Sequence, residues 1–467
     1  MAWDPATGSL DFKTLRALYR SGEATPADVV EAVYERIVSR DDDPAWTALV
    51  PRDAALAAAR ALTPDEIDAK PLYGIPFGIK ENFDLQGFET TNACAASARM
   101  AHRNGVIVQR LIDAGAIAIG KNNMDQFGVG LNGTRTDYGI PRCVFNADYI
   151  SGGSTSGGGV VVAAGMASFA LGGDAAGSGR VPAALNNVVG LKATPGLIPN
   201  WAPMPAGMPM SNSAITLTVA DAVTVARTLV TYDPTDPRSK PAAETYDITP
   251  PPLPAAFRFA VPDAGSLVFH GDPEAERLFA EAVAQFEALG GERVEVDCTP
   301  YLKAAKLLYE GPFIAQRTAN MEAFFRANAD KMFPATREIV SWGLNYSAMD
   351  AFRAVQAIEG VKQTARALFR DVEFLLTPTT PTTFTVEEML ADNIALNAVL
   401  GTYTNFVNLL DLPALAVPAG FRADGLALGV MLIGPSLSDN RIAGHGARYH
   451  AATGLPLGAT GTLVDTL

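Results

Sequence analysis

Residues 152–180 read GGSTSGGGVVVAAGMASFALGGDAAGSGR, a stretch with ten glycines and five hydroxyl residues. Glycine loses more backbone entropy on folding than any other residue, so dense glycine marks a place where bare backbone is needed. Two clusters frame the stretch. Gly152-Gly153-Ser154-Thr155-Ser156-Gly157-Gly158 stands at one end, and Gly173-Asp174-Ala175-Ala176-Gly177-Ser178-Gly179-Arg180 at the other. The small apolar residues between them predict a closely packed helix that lets the two clusters approach. Serines flanked by free N–H groups suit acyl-transfer chemistry. Plain tight turns explain the glycines equally well, and spacing alone leaves both readings open.

The surroundings define the fold class. Helices are predicted around Leu15, Leu18 and Tyr19, over Val29, Val30, Val33 and Ile37, and in the alanine-rich stretch 54–62, the second opening with Thr25 as N-cap and Pro26 at the first helical position. Tyr73–Lys80 and Ala116–Gly120 are apolar and short enough for buried strands, with a helical pattern from Val106 to Ala114 between them. Strand, helix and strand at this spacing predict a parallel pair with a crossover. The pattern recurs at 257–262, 273–289 and 293–298, and further buried strands are expected at 374–378, 414–419 and 426–435. The expected class is therefore α/β, a central mixed β-sheet covered by helices on both faces. The proline-rich stretch 249–254 is the best internal boundary, so 1–455 reads as one domain with an insert at about 250–370. The tail 456–467 reads as loose.

Composition excludes several functions. A net charge of −14 would repel nucleic-acid phosphates. The longest apolar run, 160–171, is too short to span a bilayer. Cys94, Cys143 and Cys298 lie far apart and predict neither a disulfide framework nor a metal site. No leader pattern opens the chain, so a cytoplasmic protein is expected, with no membrane partner. His102, His270, His445 and His450 show no metal-binding spacing, and the last two read as solvated or capping residues on a surface helix. No metal and no cofactor are called for.

A serine enzyme that lacks a histidine base needs another. Burial lowers a lysine pKa by disfavouring the ammonium. Lys80 ends an apolar strand beside Phe77, Ile79 and Phe83. A lysine there can also reach solvent by snorkelling.

The combination of Lys80, the 152–158 and 173–180 clusters and Gly190-Leu191-Lys192 resembles the amidase signature family, over about residues 10 to 450. The resemblance implies a Ser-cisSer-Lys machinery. Ser178 would be the nucleophile, Ser154 the bridging serine on a cis peptide, and Lys80 the base. The N–H groups of Ala175, Ala176, Gly177 and Ser178 would form the oxyanion hole, with Asp174 and Arg180 paired in support. The stretches 125–142, 175–192, 308–317 and 400–426 are similar to the allophanate-hydrolase branch of that family. That branch implies release of ammonia from the terminal amide of allophanate, the carboxylate of urea. Tyr309 and Arg317 would recognise the substrate, with backbone from the Gln126–Gly130 loop. A small planar carboxylate suits a bidentate arginine fork. Tyr309 and Arg317 are expected on one side of a helix. The resemblance also implies a homodimer. The branch's usual C-terminal domain is not expected within these residues.

Gly173 and Ala175 stand where the branch usually has threonines, and the 197–212 segment is unlike its usual counterpart. That segment is expected to wall the pocket and shift substrate range. The alternatives are a malonamate- or biuret-like amide as substrate, or the role of an amidotransferase A-type subunit.

Overall fold

The computed structural model describes residues 3–41, 43–199 and 210–463. Its strands are β1 (Trp46–Leu49), β2 (Pro76–Lys80), β3 (Glu89–Thr90), β4 (Arg99–Met100), β5 (Ile117–Asn122), β6 (Phe169–Asp174) and β7 (Val189–Lys192). They continue with β8 (Ser211–Thr216), β9 (Phe257–Pro262), β10 (Gly291–Val296), β11 (Leu375–Pro378), β12 (Ala414–Phe421) and β13 (Ala427–Ile433). Eleven of them form one sheet in the order β1-β5-β2-β6-β8-β7-β12-β13-β11-β9-β10, and β3 with β4 makes a separate ribbon. The sheet is mixed: β2 runs parallel to β5 and β6, and β9 parallel to β10, while β6, β7, β8, β12 and β13 pair antiparallel. The expected crossover is present, with the helix Val106–Asp113 between β2 and β5.

Strand pairing sets the site. Phe77 of β2 lies opposite Phe169 of β6, and their rings stack with centroids 5.1 Å apart. A buried aromatic pair of this kind contributes about 0.5–1.5 kcal/mol beyond its area burial. In this register Ile79 faces Leu171, so the chain carries Lys80 alongside the Gly172-Gly173 end of β6. Strands from both sides of the proline-rich stretch join the one sheet, and a single apolar core reaches from Leu10 to Leu457. A smaller cluster, Cys94, Phe127, Val129, Ile314, Met321, Met332, Ile339 and Val340, gathers under the helices 314–328 and 334–342.

Three expectations need correcting. The small apolar stretch is a helix only over Ser156–Ala163, and its second half is β6. Gly165, at φ +68°, turns the chain between the two, a conformation that glycine adopts without steric cost. His445 and His450 are buried, at 2% and 3% exposure, not solvated. The helix Asp439–Thr453 lies against the sheet, and the His445 ring packs between Phe257 and Phe374, at 4.4 and 5.1 Å. Burial lowers both imidazoles to about 4, so both are neutral. Residues 456–463 are not loose: the Asn187 amide donates to the carbonyls of Pro456 and Gly458, and Ala459 N–H to Ala163.

Candidate active site

Lys80, Ser154 and Ser178 meet in a line. Lys80 Nζ donates to Ser154 Oγ at 2.8 Å, and Ser154 Oγ donates to Ser178 Oγ at 2.9 Å. Lys80 Nζ also reaches the Gly173 carbonyl at 3.3 Å. All three side chains are buried, with Ser178 only 3% exposed. Lys80 faces the serines because β2 ends on it, and the Gly153–Ser154 peptide is cis. Desolvation lowers the Lys80 pKa to about 7. Asp125 and Asp174 pull it back up, and Arg317 pushes it further down.

Asp174, the last residue of β6, organises the Ser178 loop. Its carboxylate accepts from Gly177 N–H at 2.9 Å, Gly179 N–H at 3.0 Å, and Arg180 Nε and Nη2 at 2.9 and 2.8 Å. Burial pushes this carboxyl up, but Arg180, Lys192 and the Gly179 N–H together hold it below its ordinary value. Arg180 extends the network to Asn408 Oδ1 at 3.1 Å, and the Asn408 amide returns to the Asp174 carbonyl at 2.7 Å. Leaving one member of such a pair buried alone costs about 3–5 kcal/mol, so the loop's shape depends on both. Of the four N–H groups expected to face an oxyanion, that of Gly177 is engaged by Asp174 in this structure. Gly177 has φ +131°, and a Cβ there would sit 2.5 Å from Thr404 Oγ1, so only glycine fits.

The Ser154 side is shaped by Asp125, which composition and motif reading did not single out. Its carboxylate accepts from the N–H groups of Asn132, Gly133 and Arg135 at 3.3, 3.1 and 3.1 Å, while its own N–H donates to the Ser154 carbonyl at 3.2 Å. Gly153 lies so near that a Cβ would fall 2.1 Å from Asp125 Oδ2. Arg135, fully buried, ties the Val129 carbonyl to Asn393. Both roles depend on how the 125–135 loop closes on itself, which no local pattern shows.

Arg317 stands beside the serines. Its Nη1 donates to the Phe127 carbonyl at 2.5 Å. A Cβ on Gly128 would lie 3.6 Å from Ser154 Oγ and 3.7 Å from Arg317 Nη1, so one small residue separates them. Tyr309 does not share a helix with Arg317. It lies between the helices Thr299–Lys306 and Ile314–Asn328. Its hydroxyl is nevertheless buried, makes no hydrogen bond, and faces the cations of Arg317 and Arg135. Gln126 is held by the fold: its N–H donates to Arg135, its carbonyl accepts from Val129, and its amide bonds Asp137 and Phe333 N–H. Gly130 packs on Asp125, which a Cβ would approach to 2.7 Å. The volume next to Gly173 is filled by Met210, whose sulfur would be 3.1 Å from a Cβ there. Residues 200–209 of the expected pocket wall lie outside the described residues.

A buried lysine, two serines in series and a glycine-rich N–H loop are the equipment of an amide hydrolase. The profile of the family described as Amidase matches residues 28–443, and the chain belongs to that family. It is similar to the urea amidolyase of Lachancea kluyveri, 37% identical over 430 residues that make up 90% of this chain and 23% of that protein. The chain thus spans about a quarter of the length of such relatives. It is 34% identical to a solved structure of Kluyveromyces lactis allophanate hydrolase, with a TM-score of 0.89, covering 98% of this chain and 75% of that one. The A-type subunit of the glutamyl-tRNA(Gln) amidotransferase from a Synechococcus species is 30% identical over 463 residues, 91% of this chain and 93% of its own length.

Proposed function

We propose that this chain hydrolyses the terminal amide of allophanate and releases ammonia. The observation that carries the proposal is the placing of Arg317 one residue's width from Ser154 in the Lys80–Ser154–Ser178 line, with the buried, unbonded Tyr309 hydroxyl under the influence of the same guanidinium. The likeness to allophanate hydrolase and urea amidolyase supports the same substrate.

Neutral Lys80 takes the proton of Ser154 as Ser154 takes that of Ser178. Ser178 Oγ then bonds to the amide carbon, and the carbonyl oxygen becomes an oxyanion facing the N–H groups of Ala175, Ala176 and Ser178. When the oxyanion collapses, the C–N bond breaks and Ser154 delivers a proton to the leaving ammonia. Water enters by the same proton route, breaks the acyl ester and frees Ser178. The released dicarboxylate loses carbon dioxide. Arg317 forks onto the substrate carboxylate and Tyr309 donates to the same end. In an acidic protein with net charge −14, that local cation supplies what the overall field does not.

We read the working protein as a cytoplasmic homodimer acting on a small anionic amide without cofactor. Its three cysteines are free and buried, and no helix among the described residues is long and apolar enough to cross a membrane.

Ammonia release as a function of pH tests the base. The protonated lysine cannot accept, so kcat/KM should be low in acid, rise through a pKa near 7, and level off above it. EDTA should leave the rate unchanged. A rate that falls through this range, or one that EDTA abolishes and zinc restores, rules out Lys80 as the base.

A further inference from the structure

Glu81 follows the proposed base yet takes no part in the steps above. It is 1% exposed, and its bonds lead away from the serines. Oε1 accepts from Thr91 N–H at 2.6 Å and from Lys121 Nζ at 3.2 Å, and Oε2 accepts from Ala93 N–H at 3.2 Å. Lys121 fastens the other side of the turn through the Glu89 carbonyl at 2.7 Å and Thr90 Oγ1 at 3.0 Å. Asn92, between the two N–H groups bonded to Glu81, and Ala93, which carries the second, have φ of +52° and +58°. The Asn92 carbonyl accepts from the N–H of Phe127, itself at φ +55°. The Phe127 carbonyl then takes Arg317 Nη1 at 2.5 Å.

Three non-glycine residues in the left-handed region, in two turns bonded to each other, persist only where the surroundings hold them. Among the described residues, Glu81 is the side chain that bonds both ends of the first turn. The second turn presents the carbonyl on which Arg317 rests.

We infer that Glu81 is a positioning residue for Arg317, setting the guanidinium relative to Ser178 through the Thr91–Ala93 turn and the Phe127 carbonyl. The inference rests on the reading of Arg317 as the carboxylate grip. A role limited to balancing the Lys121 charge would affect every substrate alike.

The test is a double-mutant cycle with kcat/KM measured on allophanate and on propionamide, which carries no carboxylate. Glu81→Gln should lower the allophanate value about tenfold, mainly through KM, and change the propionamide value less than about threefold. In the Arg317→Ala background the same change should cost allophanate hydrolysis less than about threefold, because the route it acts through is gone. Glu81→Gln leaves the Lys121 ammonium buried alone, so Glu81→Gln with Lys121→Met, which removes both charges, is measured alongside and should show the same selective loss. Equal losses on both amides, or additive losses in the cycle, overturn the inference. Arg317→Ala alone reports on the underlying reading: equal loss on both amides there removes the carboxylate grip itself.

Discussion

Ser178→Ala should lower kcat for ammonia release by at least about 10³-fold while the protein stays folded. Ser178 is the hydroxyl that shares a loop with the Ala175 and Ala176 N–H groups, so attack and oxyanion binding can act on one carbonyl. Ser154 cannot replace it, because it is fully buried between Lys80 and Ser178, each within hydrogen-bond distance. The substitution removes one oxygen from a site whose framework is the Asp174–Arg180 pair, so melting should change little. Steady-state kinetics and a thermal melt on the purified variant check both statements. A variant that keeps a tenth of the wild-type rate assigns the nucleophile elsewhere.

Arg317→Ala should lower kcat/KM for allophanate by roughly 10²-fold or more, since hydrogen bonds to charged groups contribute about 1.5–3 kcal/mol each and the fork makes two. Propionamide, which has no carboxylate to grip, should change less than about threefold. Arg317→Lys should recover part of the loss, because an ammonium restores charge but not the two-pronged geometry. The substituted site keeps Arg135 nearby, but that guanidinium is bonded to Val129 and Asn393 and does not replace the fork. The same two-substrate kinetics on the three proteins decide it. Equal loss on both substrates makes Arg317 structural and withdraws the argument for a carboxylated amide.

The legible parts of this site were those written in short stretches. An apolar strand ending in Lys80, and serines set in glycine, show their packing and chemistry within a few residues. Asp174 and Arg180 flank Ser178 in sequence, and they pair in space for the same reason. The hidden parts depend on residues far apart in the chain. Asp125 and Arg135 look like ordinary charges until the loop closes over them. His445 looks solvated because the phenylalanines that enclose it come from β9 and from the residue preceding β11. The Gln126–Gly130 loop is expected to lend backbone to the substrate, and no local pattern shows that the Gln126 N–H and carbonyl bond Arg135 and Val129 while Phe333 and Asp137 engage its side chain. The strand β6 was hidden by its composition: Phe-Ala-Leu-Gly-Gly-Asp lacks the β-branched residues that mark a strand, and its place is set by Phe77 stacking on Phe169.

Gly177 carries a demand that the motif does not spell out. A side chain there would meet Thr404, and its N–H shapes the loop through Asp174.

The most direct measurement is ammonia release by the purified chain, alone, from allophanate, malonamate, biuret and glutamine. The highest kcat/KM is expected for allophanate, at least about tenfold above malonamate, which keeps the carboxylate but replaces the planar N–H with a methylene. Biuret and glutamine should be slower still. The highest value on glutamine, or turnover that begins only when a second protein is added, would rule out allophanate as the substrate of this chain and point to an ammonia-donating role within a larger complex.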